Sequence, residues 1–591
     1  SLPAEASEQE RVYIRWKGVE SSGLIGNETD YDGLCIGNIF VTADAGSLAD
    51  EQAVLQSSNP ENNATNVSRN GSIILNFDKK IKAGTGKATL DGEEIAPIIS
   101  GKSAVFKYSG LKYGTAYTFT MPEGVVTSRS GNPVAATTIN FTTMERTQPE
   151  ARLYDAIVAQ DGSGDFKTLQ AAIDAAPAGR ATPYLIYVKN GNYNEHIDIP
   201  ASKPYLHIIG QERDKTVVLD GRLSGGENAY SVDPGATVVV KGANTFFENI
   251  TLENQYGHEM QAGPQALALN TQADRVALNN VALLSYQDTW ITTSTSNNRH
   301  YIKNSLIEGA VDFIYNSGNV YLDGDTLEIN RPSGGYIVAP SHAADVKWGY
   351  VFQNNVIRAH KGVNVTDVWL GRPWHNSPKT VFINTQTFIN IPAKGWYETM
   401  GGLPVLWADY NTVDAQGNPV DLSQREDTYY YTNADGSKTY GKAKNYLTAE
   451  EAAQYTIKNV MGGDDNWQPD LLCEACDAPV VSIAGSKISW EPVPYAICYV
   501  VTKDGEAVGF TTETSYDYAE GAAYKVQAVN ENGGLSAYGI AGQGTGIASA
   551  VSAVSTEPVA VYTLDGRRVS GTTKGICIVR YADGTTRKVV R

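Results

Sequence analysis

Phe247-Glu248-Asn249-Ile250-Thr251-Leu252, Leu278-Asn279-Asn280-Val281-Ala282-Leu283, Ile302-Lys303-Asn304-Ser305-Leu306-Ile307 and Phe352-Gln353-Asn354-Asn355-Val356-Ile357 share one pattern, a polar Asn followed by apolar residues in alternation. Counted from Asn249, the markers Asn280, Asn304 and Asn355 follow after 31, 24 and 51 residues. Unequal steps of this size suit the coils of a solenoid with loops of variable length, the last step covering two coils. An inward Asn at each turn can hydrogen-bond backbone between coils, although Asn is also an ordinary turn former. The reading adopted is an all-β chain centred on a right-handed parallel β-helix; a large sandwich is the structural alternative.

The helical unit is expected over residues 152–471. Its start reads as a turn, Asp161-Gly162-Ser163-Gly164-Asp165-Phe166, then one short amphipathic helix from Lys167 to Ala176 with Leu169, Ala172 and Ile173 on its apolar side. A strand Tyr184-Leu185-Ile186-Tyr187-Val188 follows, closed by Gly191-Asn192-Tyr193-Asn194-Glu195. Residues 71–146 alternate with period two in Ser72–Phe77, Ala104–Tyr108, Tyr117–Thr120 and Thr138–Phe141, which predicts a small β-sandwich resembling bacterial Ig-like modules. Residues 479–545 read as a second, fibronectin-like sandwich, and 555–591 as a short C-terminal β module resembling the sorting modules of Bacteroidetes-type bacteria, or a plain terminal hairpin. Residues 1–70 carry no assignable fold.

A chain of 591 residues exceeds one ordinary core. Gly 57, Tyr 34 and Trp 9 fit short strands, tight turns and a carbohydrate-facing surface, and equally an ordinary β protein. The net charge of -18 disfavours nucleic acid and anionic membranes as partners, as well as a fully ionised polyuronate, while an esterified polyuronate meets less repulsion. Acidity that serves solubility alone fits as well. Five scattered cysteines make no disulfide framework, and Cys473-x-x-Cys476 reads as a local disulfide or two free thiols rather than a zinc or redox site. No run is apolar and long enough to span a bilayer. The start Ser1-Leu2-Pro3-Ala4 lacks signal-peptide features, which fits either cytosolic residence or a secreted chain whose leader has been removed.

The chemistry concentrates in Tyr286-Gln287-Asp288-Thr289-Trp290, Gly309-Ala310-Val311-Asp312-Phe313-Ile314-Tyr315 and Leu370-Gly371-Arg372-Pro373-Trp374. Asp288 and Asp312 are 24 residues apart, one coil, so they can face one groove at the spacing of paired strands, about 4.8 Å. Two carboxylates that close do not both ionise easily, so one can act as nucleophile while the other donates a proton. Gln287 and Gln265, about one coil earlier, can aim amide donors at a developing oxyanion. Arg372 can hold a carboxylate nucleophile ionised, and Trp374 offers a flat face to a sugar. The bland counterpart is turn-forming Asp residues and a polar groove edge with one packed aromatic.

These stretches resemble the pectin methylesterase family over roughly 152–471, through Gly191-x-Tyr193-x-Glu195, Gln265-Ala266-Leu267-Ala268-Leu269, Gln287-Asp288-Thr289, Asp312-Phe313-Ile314-Tyr315 and Leu370-Gly371-Arg372-Pro373-Trp374. The resemblance implies hydrolysis of galacturonate C6 methyl esters in homogalacturonan by a secreted, periplasmic or cell-surface pectinesterase, with no metal or organic cofactor and a monomeric chain. It implies Asp312 as nucleophile, Asp288 as acid/base, Gln265 and Gln287 as oxyanion donors and Arg372 as partner of the nucleophile. Trp374, Tyr315, Trp290 and Tyr286 are the expected substrate-binding rings. Tyr315 stands where the family usually has Phe, and Asn316 where it usually has Gly. Asn tolerates a left-handed backbone, so the turn is expected to survive. Trp290 adds bulk where a smaller residue is common.

The rival readings are a β-helix lyase or glycosidase, an esterase of the same fold acting on another ester, and an inactive carbohydrate-binding protein. A lyase needs clustered acidic residues for calcium, and a hydrolase carboxylates spaced around a glycosidic oxygen. The flanking glutamines favour ester attack, and the small sandwiches read as spacers.

Overall fold

The computed structural model describes residues 52–100, 102–227 and 229–542, with the backbone of four further strands between 558 and 590. Two compact units divide the chain, one holding residues 1–149 and 154–473, the other 150–153 and 474–591.

Alternation of apolar and polar residues builds the central coils. Three parallel sheets of eleven, eight and seven strands run through residues 156–446, each strand pairing with the equivalent strand one coil on. This is a parallel β-helix. Its interior is filled by Ile, Val, Leu and aromatic side chains, with Phe352 and Phe382 on successive coils stacked at 4.1 Å. The first strands expose a sheet end that helix Leu169–Ala175 packs against with Leu169, Ala172 and Ile173 buried. Thr168 caps this helix, and Glu195 receives the backbone N–H groups of Leu169 and Gln170 at 2.9 and 3.0 Å. In Gly191-x-Tyr193-x-Glu195 the acidic residue therefore serves a helix N-terminus, and Tyr193 is buried with its hydroxyl on the Lys189 carbonyl.

The asparagine markers are a turn ladder. Asn249, Asn280, Asn304, Asn354, Asn384 and Asn411 all have φ between 50° and 58°. Asn280 donates to Asn249 at 2.7 Å, Asn384 to Asn354 at 3.2 Å and Asn411 to Asn384 at 2.8 Å, so the amides bond each other along the stack. The fourth marker is Asn354 rather than Asn355, whose buried amide instead donates to Leu322 O. Gly324, also left-handed, fills the intervening coil.

The Ig-like sandwich takes up strands Leu55–Asn59 and Ala64–Val67, the first pairing with Gly71–Phe77 and the second with Thr137–Thr143. It therefore begins before residue 71, and of the segment drawn at 1–70 residues 1–51 lie outside the described residues. In the second unit, a three-stranded and a four-stranded antiparallel sheet lie between Ser482 and Ile540. Cys473 and Cys498 are free thiols, and burial pushes Cys498 up to about 12. Of the C-terminal module drawn at 555–591, the described part is an antiparallel sheet of Pro558–Tyr562, Arg568–Val569, Ile576–Tyr581 and Thr586–Val590. No helix among the described residues is long and apolar enough to cross a membrane.

Candidate active site

The seven-stranded sheet carries the site on its outer face. Strand Trp290–Ile291 pairs with Val311–Asn316 as Trp290 to Ile314 and Ile291 to Tyr315, a register that sets Asp288 beside Asp312 on the next coil. Both aspartates are left-handed, φ 64° and 52°, a conformation few non-glycine residues adopt. At Asp312 the pairing to strand Ser333–Pro340 slips by one residue, Val311 facing Tyr336 and Ile314 facing Val338. This β-bulge turns Asp312 out of the regular alternation and lets Phe313 enter the core. Gly309 is required there, because a Cβ on it would sit 2.2 Å from that of Phe313.

Arg372 follows strand Asp367–Gly371 and reaches back to Asp312. Its Nε donates to Oδ1 at 2.9 Å and Nη2 to Oδ2 at 2.6 Å, so the whole carboxylate is held by one planar fork. The guanidinium rests on the Tyr336 ring at 4.2 Å, and Tyr336 in turn meets Tyr397 edge-on at 5.4 Å. Asp312 is only 7% exposed. Burial raises its carboxyl, opposed by the hydrogen bond and charge of Arg372. For Asp288, burial lifts the carboxyl well above the usual range and the neighbouring Asp312 charge lifts it further, against weaker pulls from Arg372 and the Tyr315 hydroxyl. Both carboxyls are raised by burial, Asp288 well above the usual range, and Arg372 opposes the rise at Asp312 through a hydrogen bond as well as its charge.

Gln287 bridges to Val311, the residue before Asp312, and its carbonyl accepts from Ala266 N at 3.1 Å, which fixes Gln265 one coil up. Both glutamines are half-buried. Glycine backbone lies against each amide oxygen: a Cβ on Gly225 would stand 1.8 Å from that of Gln265, and one on Gly263 2.8 Å from that of Gln287.

Of the four expected aromatic rings, Trp374 is half-buried and packs edge-on to Tyr315 at 5.6 Å, over a patch of Leu267, Ile291 and Ala339. Tyr286 is half-buried and knits the coils through its carbonyl, which accepts from Ala310 N at 2.7 Å. Tyr315 is 5% exposed and gives its hydroxyl to Asp288, so it is a neighbour of the acid more than a wall. Trp290 is a correction. It is fully buried inside the coils with Nε1 donating to Thr271 Oγ1 at 3.0 Å, and it cannot touch a polymer in the groove.

Asn316 adopts φ 92° and spends its amide on Thr292 O at 2.9 Å, so the turn tolerates Asn in place of Gly. The sequence reading did not find Tyr336, Gly225 or the cluster of Glu308, Glu328 and His360. These reach their partners from other coils, and only the wide spacing of unassigned aromatic and acidic residues hints at them.

Residues 155–464 match the family profile described as Pectinesterase, and residues 49–143 that of a bacterial Ig-like domain. The chain is 29% identical over 283 residues to the "Probable pectinesterase/pectinesterase inhibitor 58" of Arabidopsis thaliana, covering 46% of this chain and 48% of that protein. It is 28% identical over 322 residues to a pectinesterase of Petunia integrifolia, covering 53% and 81%. A solved structure, "Pectin methylesterase from Carrot", aligns with TM-score 0.45 and 26% identity over 54% of this chain and 95% of that one. The chain thus spans about half the length of the Arabidopsis relative. Since the first profile takes in more than half of its residues, the chain belongs to the pectinesterase family.

Proposed function

We propose that the protein hydrolyses the C6 methyl esters of galacturonate in homogalacturonan, releasing methanol and de-esterified pectin. The observation that carries the reading is the clamped pair: Asp312 gripped through both oxygens by Arg372, with Asp288 stacked one coil away and its carboxyl driven well up.

In this scheme an Asp312 oxygen attacks the ester carbonyl carbon, and the carbonyl electrons move onto oxygen. The side-chain amides of Gln265 and Gln287 donate to that oxyanion. Collapse breaks the bond to the methoxy oxygen, which takes the proton of Asp288 and leaves as methanol, with the acyl group on Asp312. Ionised Asp288, supported by the Tyr315 hydroxyl, then draws a proton from water as that water attacks the acyl carbon. Release of the galacturonate acid returns Asp312 ionised and Asp288 protonated. Trp374 stacks on a sugar ring and Tyr286 borders it.

The partner is methyl-esterified homogalacturonan, and nucleic acid is disfavoured by a charge of -18. We take the enzyme to act as a monomer outside the cell or in the periplasm, where the polymer is, with the sandwich modules as spacers.

The test is methanol release from highly methylated homogalacturonan by the full chain beside Asp312→Asn. Release by the parent with a loss of at least about 10⁴-fold in the variant is expected. A folded parent that releases none sinks the substrate and moves weight to another ester or to a binding role.

A further inference from the structure

On the eight-stranded sheet, Glu308 in strand Leu306–Gly309 stands opposite Glu328 in strand Thr326–Ile329, and Glu328 opposite Arg358 in strand Val356–Ala359. His360 comes directly after the last of these and sets its Nδ1 between the two carboxylates, 2.8 Å from Glu308 Oε2 and 2.9 Å from Glu328 Oε1. The other oxygen of each acid is already engaged. Glu308 Oε1 accepts from Asn330 Nδ2 at 2.9 Å and lies 2.7 Å from His258 Nδ1, while Glu328 Oε2 accepts from Arg358 Nε at 2.7 Å.

At the centre of this arrangement one ring nitrogen faces two carboxylate oxygens. One Nδ1 carries at most one proton, yet two carboxylate oxygens on adjacent strands converge on it, and like charges directly opposite each other destabilise a sheet. Arg358 pairs with Glu328 and His258 with Glu308, each through the oxygen turned away from His360. A divalent cation bonded to His360 Nδ1, Glu308 Oε2 and Glu328 Oε1 would satisfy all three atoms, which lie within 4.8 Å of one another.

The outer groups suit that use. Asn330, His258 and Arg358 hold the distal oxygens and so aim the proximal ones, the arrangement by which bound metals are oriented. The Glu308 side chain is 1% exposed and that of Glu328 10%, whereas His360 is 26% exposed, so the cluster is closed on the protein side and open to solvent on the other. One imidazole and two carboxylates match zinc better than the all-oxygen shells of calcium or magnesium.

We infer that Glu308, Glu328 and His360 form a binding site for a divalent transition-metal cation of the zinc class. The site is structural. The Glu308 carbonyl accepts from Thr289 Oγ1 at 2.7 Å, beside Asp288, so a metal here braces the coils that carry both aspartates.

The experiment strips the full chain with a chelator and titrates it, without pectin, with Zn²⁺ and with Co²⁺ as a visible-absorption probe. About one equivalent bound is expected, with an unfolding temperature that rises with Zn²⁺. Glu328→Gln and His360→Gln each weaken binding at least about 10-fold and abolish the thermal shift, while circular dichroism and methanol release report the fold. A parent that binds no metal saturably overturns the proposal, whatever the variants do. Equal binding by parent and folded variants overturns it too, by locating the metal elsewhere.

Discussion

Arg372 grips Asp312 with two parallel hydrogen bonds across 60 residues of chain, one to each carboxylate oxygen, while its own flat face lies on Tyr336. A lysine carries the same charge but not the fork. Arg372→Lys is expected to lower kcat/KM about 100-fold, the scale that misplacement of a reacting group carries. With less stabilisation of ionised Asp312, the acidic limb of the pH profile moves to higher pH. A limb that stays in place would mean that Arg372 does not set the ionisation of Asp312.

Asp288 predicts a stability trend. Its folded carboxyl lies above the ordinary 3.8, so the folded state binds a proton the unfolded chain has released, and stability falls as pH rises from there towards the folded value. Asp288→Asn removes that dependence. The variant should unfold at a higher temperature than the parent at pH 7, with the difference closing by about pH 4. Thermal unfolding at the two pH values checks the sign, and a variant less stable at pH 7 would contradict it.

Tyr315 offers a cleaner perturbation of the acid. Its hydroxyl favours the ionised form of Asp288, so Tyr315→Phe should move the alkaline limb of kcat/KM to higher pH and leave the acidic limb alone. The profile is the readout, because loss of packing alone would lower activity without moving either limb.

Two tryptophans should separate stability from binding. Trp290→Phe forfeits the bond to Thr271 and leaves a gap in a closed interior, a loss of about 1–3 kcal/mol in stability with KM little changed. Trp374→Ala should do the reverse, raising KM about fivefold for the loss of roughly 1 kcal/mol of stacking, with little change in unfolding temperature. Steady-state kinetics beside thermal unfolding decides both.

Much of this was legible because a parallel coil repeats one rule. Alternating apolar residues after an Asn mark each turn, and a spacing of 24 between Asp288 and Asp312 is one coil, so their pairing is written in the sequence. Trp290 defeated the same logic. Left-handed Asp288 resets the phase of its strand, so that Thr289 and Trp290 are both buried and Ile291 faces out. Neighbouring asparagines were ambiguous for a related reason, since only one of Asn354 and Asn355 can occupy the left-handed turn. The early sandwich strands hid in a stretch rich in Asn and Ser, where half-buried positions carry little apolar signal. His360 was invisible because its partners lie 52 and 32 residues away, on separate coils.

The bulge and pairing around Asp312 also say how such a chain can vary. Gln287, Asp288, Asp312 and Arg372 are located by main-chain register across one sheet, so the site is graduated in strand spacings of about 4.8 Å and is indifferent to how much chain lies between the marks. Lengthening a connection such as 341–349 leaves every mark where it was. One residue added between Asp288 and Trp290 would turn Trp290 outward and Ile291 inward. Loop length is thereby released from catalysis, and the borders of the cleft can diverge while its centre stays the same.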